Sequence, residues 1–111
     1  MVRSLATNIL REQGYSVLEA ANGVEALALA EEYSGGEIHL LLTDVVMPLM
    51  GGRELADRFK TTRPRTKVLY CSGYTDDVFF NDGVLEHGTA YLQKPFSPPA
   101  LALKVRAVLD N

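Results

Sequence analysis

Apolar positions along the chain follow two spacings, one that suits helices and one that suits buried strands. Val2, Leu5, Ala6, Ile9 and Leu10 fall at i, i+3, i+4, i+7 and i+8, one face of a helix. Gly14 follows, where a helix commonly ends. Ser16 to Ala20 reads as a short strand. Asn22 opens a second helix, with Glu25 three residues on in a capping-box relation. Val24, Leu27, Ala28 and Leu29 give that helix its buried face, and Ser34-Gly35-Gly36 stops it.

Ile38 to Val46 is the most apolar run, Ile-His-Leu-Leu-Leu-Thr-Asp-Val-Val. A run without alternation suits a strand covered on both faces, as in a parallel sheet. Met47-Pro48 and Gly51-Gly52 force a loop. A third helix over Arg53 to Thr62 buries Leu55, Ala56 and Phe59 before Pro64. Lys67 to Ser72 reads as a strand, Asp76 to Leu85 as a weak helix broken by Asn81-Asp82-Gly83, and Ala90 to Lys94 as a last strand. Ser97 caps a final helix with Pro98 at its first position, and Leu101, Val105, Val108 and Leu109 face the core. Strands alternate with helices from end to end, which predicts an α/β fold: a parallel sheet with helices on both faces.

Composition narrows the function classes. The 111 residues suit one domain, 47% apolar and 23% charged, an ordinary globular balance. A net charge of −3 gives no basic stripe for nucleic acid. No apolar run reaches the ~20 residues of a membrane helix. One cysteine, Cys71, excludes an internal disulfide and fits a reducing cytoplasm. Phosphate-binding glycine loops and the hydrolase serine elbow are absent from the sequence. His39 and His87 have no ligand spacing and read as structural or surface residues, and Cys71 as a small buried hydrophobe.

In parallel α/β sheets, sites form beyond the carboxyl ends of the strands. Asp44, Ser72 and Lys94 close three of the strands read above. A carboxylate there can attack phosphorus and form an acyl phosphate. An ammonium and a hydroxyl can hold phosphoryl oxygens where charge builds. Each residue alone has a bland reading: a loop cap for Asp44, a turn hydroxyl for Ser72, a solvated strand end for Lys94. Their weight comes from the set.

Leu-Leu-Thr-Asp-Val-Val-Met-Pro-Leu-Met-Gly-Gly (41–52), Val-Leu-Tyr-Cys-Ser-Gly-Tyr (68–74) and Tyr-Leu-Gln-Lys-Pro-Phe (91–96) together resemble the signature segments of two-component response-regulator receiver domains. The wording is most similar to receivers at the C-terminus of hybrid sensor histidine kinases. The resemblance covers nearly the whole chain and implies a flavodoxin-like sheet of order 2-1-3-4-5. It implies Asp44 as phospho-acceptor, Ser72 as switch hydroxyl, Tyr91 as the aromatic that rotates with phosphorylation, and Lys94 as the family lysine before a cis proline. Tyr91 as an ordinary core or surface aromatic is the alternative. The implied partners are a histidine kinase or a histidine phosphotransfer domain, with no nucleic acid and no membrane contact.

One departure stands out. The family begins with a strand ending in two acidic residues, whereas Met1 already lies at the first helix. The expectation is a single, N-terminally truncated receiver domain over 1–111. Magnesium, the family's cofactor, would have only Asp44 and the backbone carbonyl of Val46 as ligands, so weak or no binding is expected. The gap in mid-sheet would be closed by the Ser16 strand pairing with Ile38, or by a second copy exchanging an element in a homodimer. Two functions follow: a phosphorelay receiver, or a phosphorylation-independent interaction module of receiver fold. A flavodoxin-like cofactor binder is a third, against which the Asp44, Ser72 and Lys94 set argues.

Overall fold

The chain's first helix, α1 (Arg3–Glu12), ends where the sequence places glycine. Gly14 takes φ +94°, a left-handed conformation costly for other residues. Its N–H donates to the carbonyl of Arg11, and that of Tyr15 to the carbonyl of Leu10, the paired bonds of a Schellman cap. The computed structural model describes residues 3–45, 49–72, 90–93 and 96–110. The remaining described elements are α2 (Gly23–Glu32), β1 (Leu40–Asp44), α3 (Gly52–Thr62), β2 (Lys67–Ser72), β3 (Tyr91–Gln93) and α4 (Pro98–Asp110). The weak helix expected over Asp76 to Leu85 and the cis bond before Pro95 lie outside the described residues, as does His87.

The described strands form one parallel sheet of order β1-β2-β3. Its two faces carry separate cores, because successive strand residues point to opposite sides. Leu41, Val45 and Tyr70 pack with α2 and α3 through Ala30, Leu55, Ala56 and Phe59. Leu69, with Leu40, Leu42 and Leu92 at the margin, packs with α1 and α4 through Ala6, Ile9, Leu101 and Val105. The third and last helices therefore bury the residues their spacing predicts.

Several expectations are corrected. Residues 16–20 are not a strand. Residues 15–22 line a cleft of about 750 Å³ together with residues 37–44. A strand is defined by the neighbour it bonds to, and the two segments do not pair, so the expected closure of Ser16 onto Ile38 does not occur. The strand read over Ile38 to Val46 is shorter, Leu40–Asp44, with one face fully and one only partly buried. In α1, Leu5 is exposed, while Thr7 joins the buried side.

The buried face of α2 also differs. Val24 is exposed and Ala28 too, whereas Gly23 and Ala30 are buried and Ala26 and Leu27 pack on the core. These four fall at i, i+3, i+4 and i+7, a helical period that keeps the expected Leu27 and adds three small residues. A Cβ on Gly23 would stand 3.0 Å from the Met50 side chain, so this end of α2 lies close on the segment after β1. The cap itself is as read. Asn22 Oδ1 accepts from the Glu25 N–H, while Glu25 Oε1 accepts from Ala21 rather than from Asn22 itself.

Candidate functional site

The site is built by three parallel strands ending at one edge. Asp44 lies level with Cys71, which lies level with Leu92, and Ser72 lies level with Gln93. Asp44 is half-buried, and its Oδ1 is shut off from solvent. On the neighbouring strand Cys71, level with it, and Leu69, two residues earlier, are fully buried, so β2 anchors the strand that carries the carboxylate.

The backbone around Asp44 is held on three sides. Val45 continues the ladder past β1 by donating to the carbonyl of Cys71 at 3.0 Å. The Thr43 hydroxyl donates to the Asp44 carbonyl at 3.1 Å. Gly52, the first residue of α3, donates its N–H to the carbonyl of Val45 at 2.9 Å. Leu49, in the turn between β1 and α3, takes φ +69° although it is not glycine.

The sequence-read residues divide as follows. Asp44 and the backbone of Ser72 meet at the same sheet edge. Tyr91 opens β3 opposite Tyr70, two positions short of that edge, with its side chain 40% exposed. Lys94, Val46 and the Ser72 side chain lie outside the described residues. Cys71 is buried as read, and His39 is a surface residue 3.4 Å from Glu37. Gly52 is the contributor that the sequence reading passed over. In the sequence it reads with Gly51 as a loop signal and as the end of the 41–52 signature segment, neither of which separates it from Gly51.

Among the described residues no group of three or more His, Cys, Asp or Glu side chains could hold a metal ion. No helix among them is long and apolar enough to cross a membrane.

The family model of the response regulator receiver domain matches residues 1–106. Sensor kinase CckA of Brucella abortus is 40% identical over 110 residues, covering 99% of this chain and 12% of CckA. Chemotaxis protein CheY of Halobacterium salinarum is 29% identical over 108 residues, covering 97% of this chain and 88% of CheY. The chain thus spans a small part of the sensor kinase and most of the chemotaxis protein. The receiver domain of NtrX from Brucella abortus superimposes with a TM-score of 0.83 at 22% identity, covering 99% of this chain and 91% of that one. A receiver domain protein from Clostridium thermocellum gives 0.80 at 23% identity, with 98% and 86% covered. At these identities the likeness is one of fold, the flavodoxin-like receiver architecture. Receiver domains are signalling modules rather than enzymes in the ordinary sense, and they pair with histidine kinases or phosphotransfer partners. The chain belongs to the response regulator receiver domain family.

Proposed function

We propose that this chain is a phosphorelay receiver that takes a phosphoryl group from a phosphohistidine onto Asp44. The observation that carries this reading is the placement of Asp44, half-buried at the carboxyl end of β1 and beside the end of β2. A carboxylate oxygen attacks phosphorus as the nitrogen–phosphorus bond of the donor breaks. The electron pair returns to the imidazole, which takes up a proton. Ser72 and Lys94 are assigned the phosphoryl oxygens, and Tyr91 the role of an aromatic that shifts with phosphorylation. The face from Ala90 to Leu109 would carry the signal. Similarity to sensor kinase CckA supports a hybrid histidine kinase as the parent chain, and a cytoplasmic setting suits that role.

Receiver domains generally bind magnesium, which when bound neutralises charge on a transferring phosphoryl group. The described donor set does not fit it well. Asp44 is one carboxylate, no larger cluster of ligating side chains surrounds it among the described residues, and a hard octahedral cation held by so few charges binds weakly. Weak magnesium affinity is therefore part of this reading. The cleft beside the edge strand β1 supports a further element, a homodimer in which a second copy supplies or exchanges a strand there. Light scattering would find a dimer, and a well-folded monomer would count against exchange.

The function is tested by incubating the chain with a phosphorylated histidine phosphotransfer domain, or with acetyl phosphate, under excess magnesium. Intact mass is then measured. One added phosphoryl group is expected, absent from Asp44→Asn. A folded wild-type chain that gains no mass from either donor would overturn the reading and favour a phosphorylation-independent interaction module.

A further inference from the structure

We propose that Gly52 is a positioning residue for Asp44, because the missing side chain at the start of α3 leaves the space that the Asp44 carbonyl occupies. This inference rests on the reading of Asp44 as the phospho-acceptor. A Cβ at position 52 would overlap the Asp44 carbonyl oxygen, would lie 3.0 Å from the carbonyl carbon, and would lie 3.2 Å from the Cα of Val45. All three are backbone atoms, so no flexible side chain can turn aside. The same residue donates to the carbonyl of Val45. The close contact therefore bears on the Asp44–Val45 peptide, and the hydrogen bond holds the next carbonyl, that of Val45.

Neither partner can retreat. Val45 is 2% exposed, and α3 is anchored by Leu55 and Ala56 at 2% and Phe59 at 4%. A methyl group at position 52 must turn or displace the peptide that follows Asp44, and with it the direction of the carboxylate. The neighbouring glycine makes no such demand. A Cβ on Gly51 would meet only the carbonyl oxygen of Val45, at 3.7 Å, an ordinary contact. Two adjacent glycines thus differ, and a pattern reading cannot separate them.

A displacement on the order of 1 Å at a reacting group can cost about 100-fold in rate. The experiment compares Gly52→Ala, Gly51→Ala and wild type in the rate of phosphoryl uptake from acetyl phosphate over a range of donor concentrations. Amide hydrogen exchange at Val45, Leu69 and Cys71 is followed by NMR in the same proteins. Gly52→Ala is expected to lower the maximal uptake rate 10- to 100-fold, with half-saturation by donor unchanged. It should also lose protection at the Val45 amide while keeping it at Leu69 and Cys71. Gly51→Ala should match wild type in both respects.

Equal uptake and equal Val45 protection in folded Gly52→Ala and Gly51→Ala would overturn the proposal. A wild type that takes up no phosphoryl group instead refutes the acceptor reading, and Val45 exchange then still decides whether Gly52 fixes this peptide. If Gly52→Ala is too unstable to assay, trimethylamine N-oxide, which favours the compact state, is added to all three proteins and the same outcomes apply.

Discussion

Arg63, the residue that closes α3, donates from Nη2 to the carbonyl of Ala30 in the last turn of α2, at 2.9 Å. The same guanidinium reaches the carbonyls of Tyr33 and Gly36 at 3.4 Å. The end of one helix is thereby capped by the end of the next, and both helices cover the sheet face that carries Val45. Helix C-terminal carbonyls need such partners, and a cation suits them.

Removing this cap gives the first prediction. Arg63→Ala should destabilise the chain by about 1.5 kcal/mol, since these are charged but only part-buried hydrogen bonds. At about 4 °C per kcal/mol for a domain of this size, melting should fall by roughly 6 °C. Arg63→Lys should recover less than half, because an ammonium cannot reproduce the fork of donors. Thermal unfolding of the three proteins checks this, and an unchanged melting temperature in Arg63→Ala would refute it.

Leu49 offers the opposite sign. It holds a left-handed backbone, φ +69°, while its side chain is 80% exposed and so gives little packing in return. Such a conformation costs a non-glycine residue about 1–2 kcal/mol. Asparagine tolerates it better, so Leu49→Asn should gain about 0.5–1 kcal/mol. Chemical denaturation would show a midpoint shifted upward with unchanged slope, and a lowered midpoint would refute the strain.

Tyr70 sets a limit at alkaline pH. Burial raises its pKa above the ordinary 10.0; the nearby Arg53 opposes this and Asp57 adds to it. The folded state therefore holds the phenolic proton more tightly than the unfolded chain does. The resulting stability is complete below pH 10 and is lost as pH rises through the folded-state value. Wild type should lose stability between pH 10 and pH 12, and Tyr70→Phe should lose less over that interval. Denaturant midpoints at both ends test this, and parallel losses would refute it.

Magnesium affinity is the fourth test. With Asp44 as the carboxylate that the described residues place at the sheet edge, NMR shifts near it should remain unsaturated in the millimolar range. Saturation at sub-millimolar magnesium would show that further ligands complete the site.

How much of this was legible in the sequence depended on the strength of each signal. Leu55, Ala56 and Phe59 on α3 were placed correctly because large apolar residues mark a helical face clearly. The face of α2 was read correctly at Leu27 but missed at Gly23, Ala26 and Ala30, which make contact through small size, a feature a hydrophobicity pattern weights lightly. Residues 16–20 have strand composition, yet a strand requires a bonded neighbour, and composition carries no record of one. Asp44 was legible because it sits in a run too apolar to be a surface loop and forms a set with Ser72 and Lys94 at strand ends. Gly52 was not, because its role is an absent atom.

Cys71 is the one thiol in the chain, fully buried and level with Asp44 on the adjoining strand. A thiol reagent can reach it only when the molecule opens. At reagent concentrations low enough that closing outpaces labelling, the labelling rate divided by the rate for an exposed thiol gives the equilibrium for opening at the strand beside the acceptor carboxylate. The native sequence thus carries a chemical gauge of how tightly its own site is closed, with a labelling rate that phosphoryl donors, metal or a second copy should each slow if they bind the folded form.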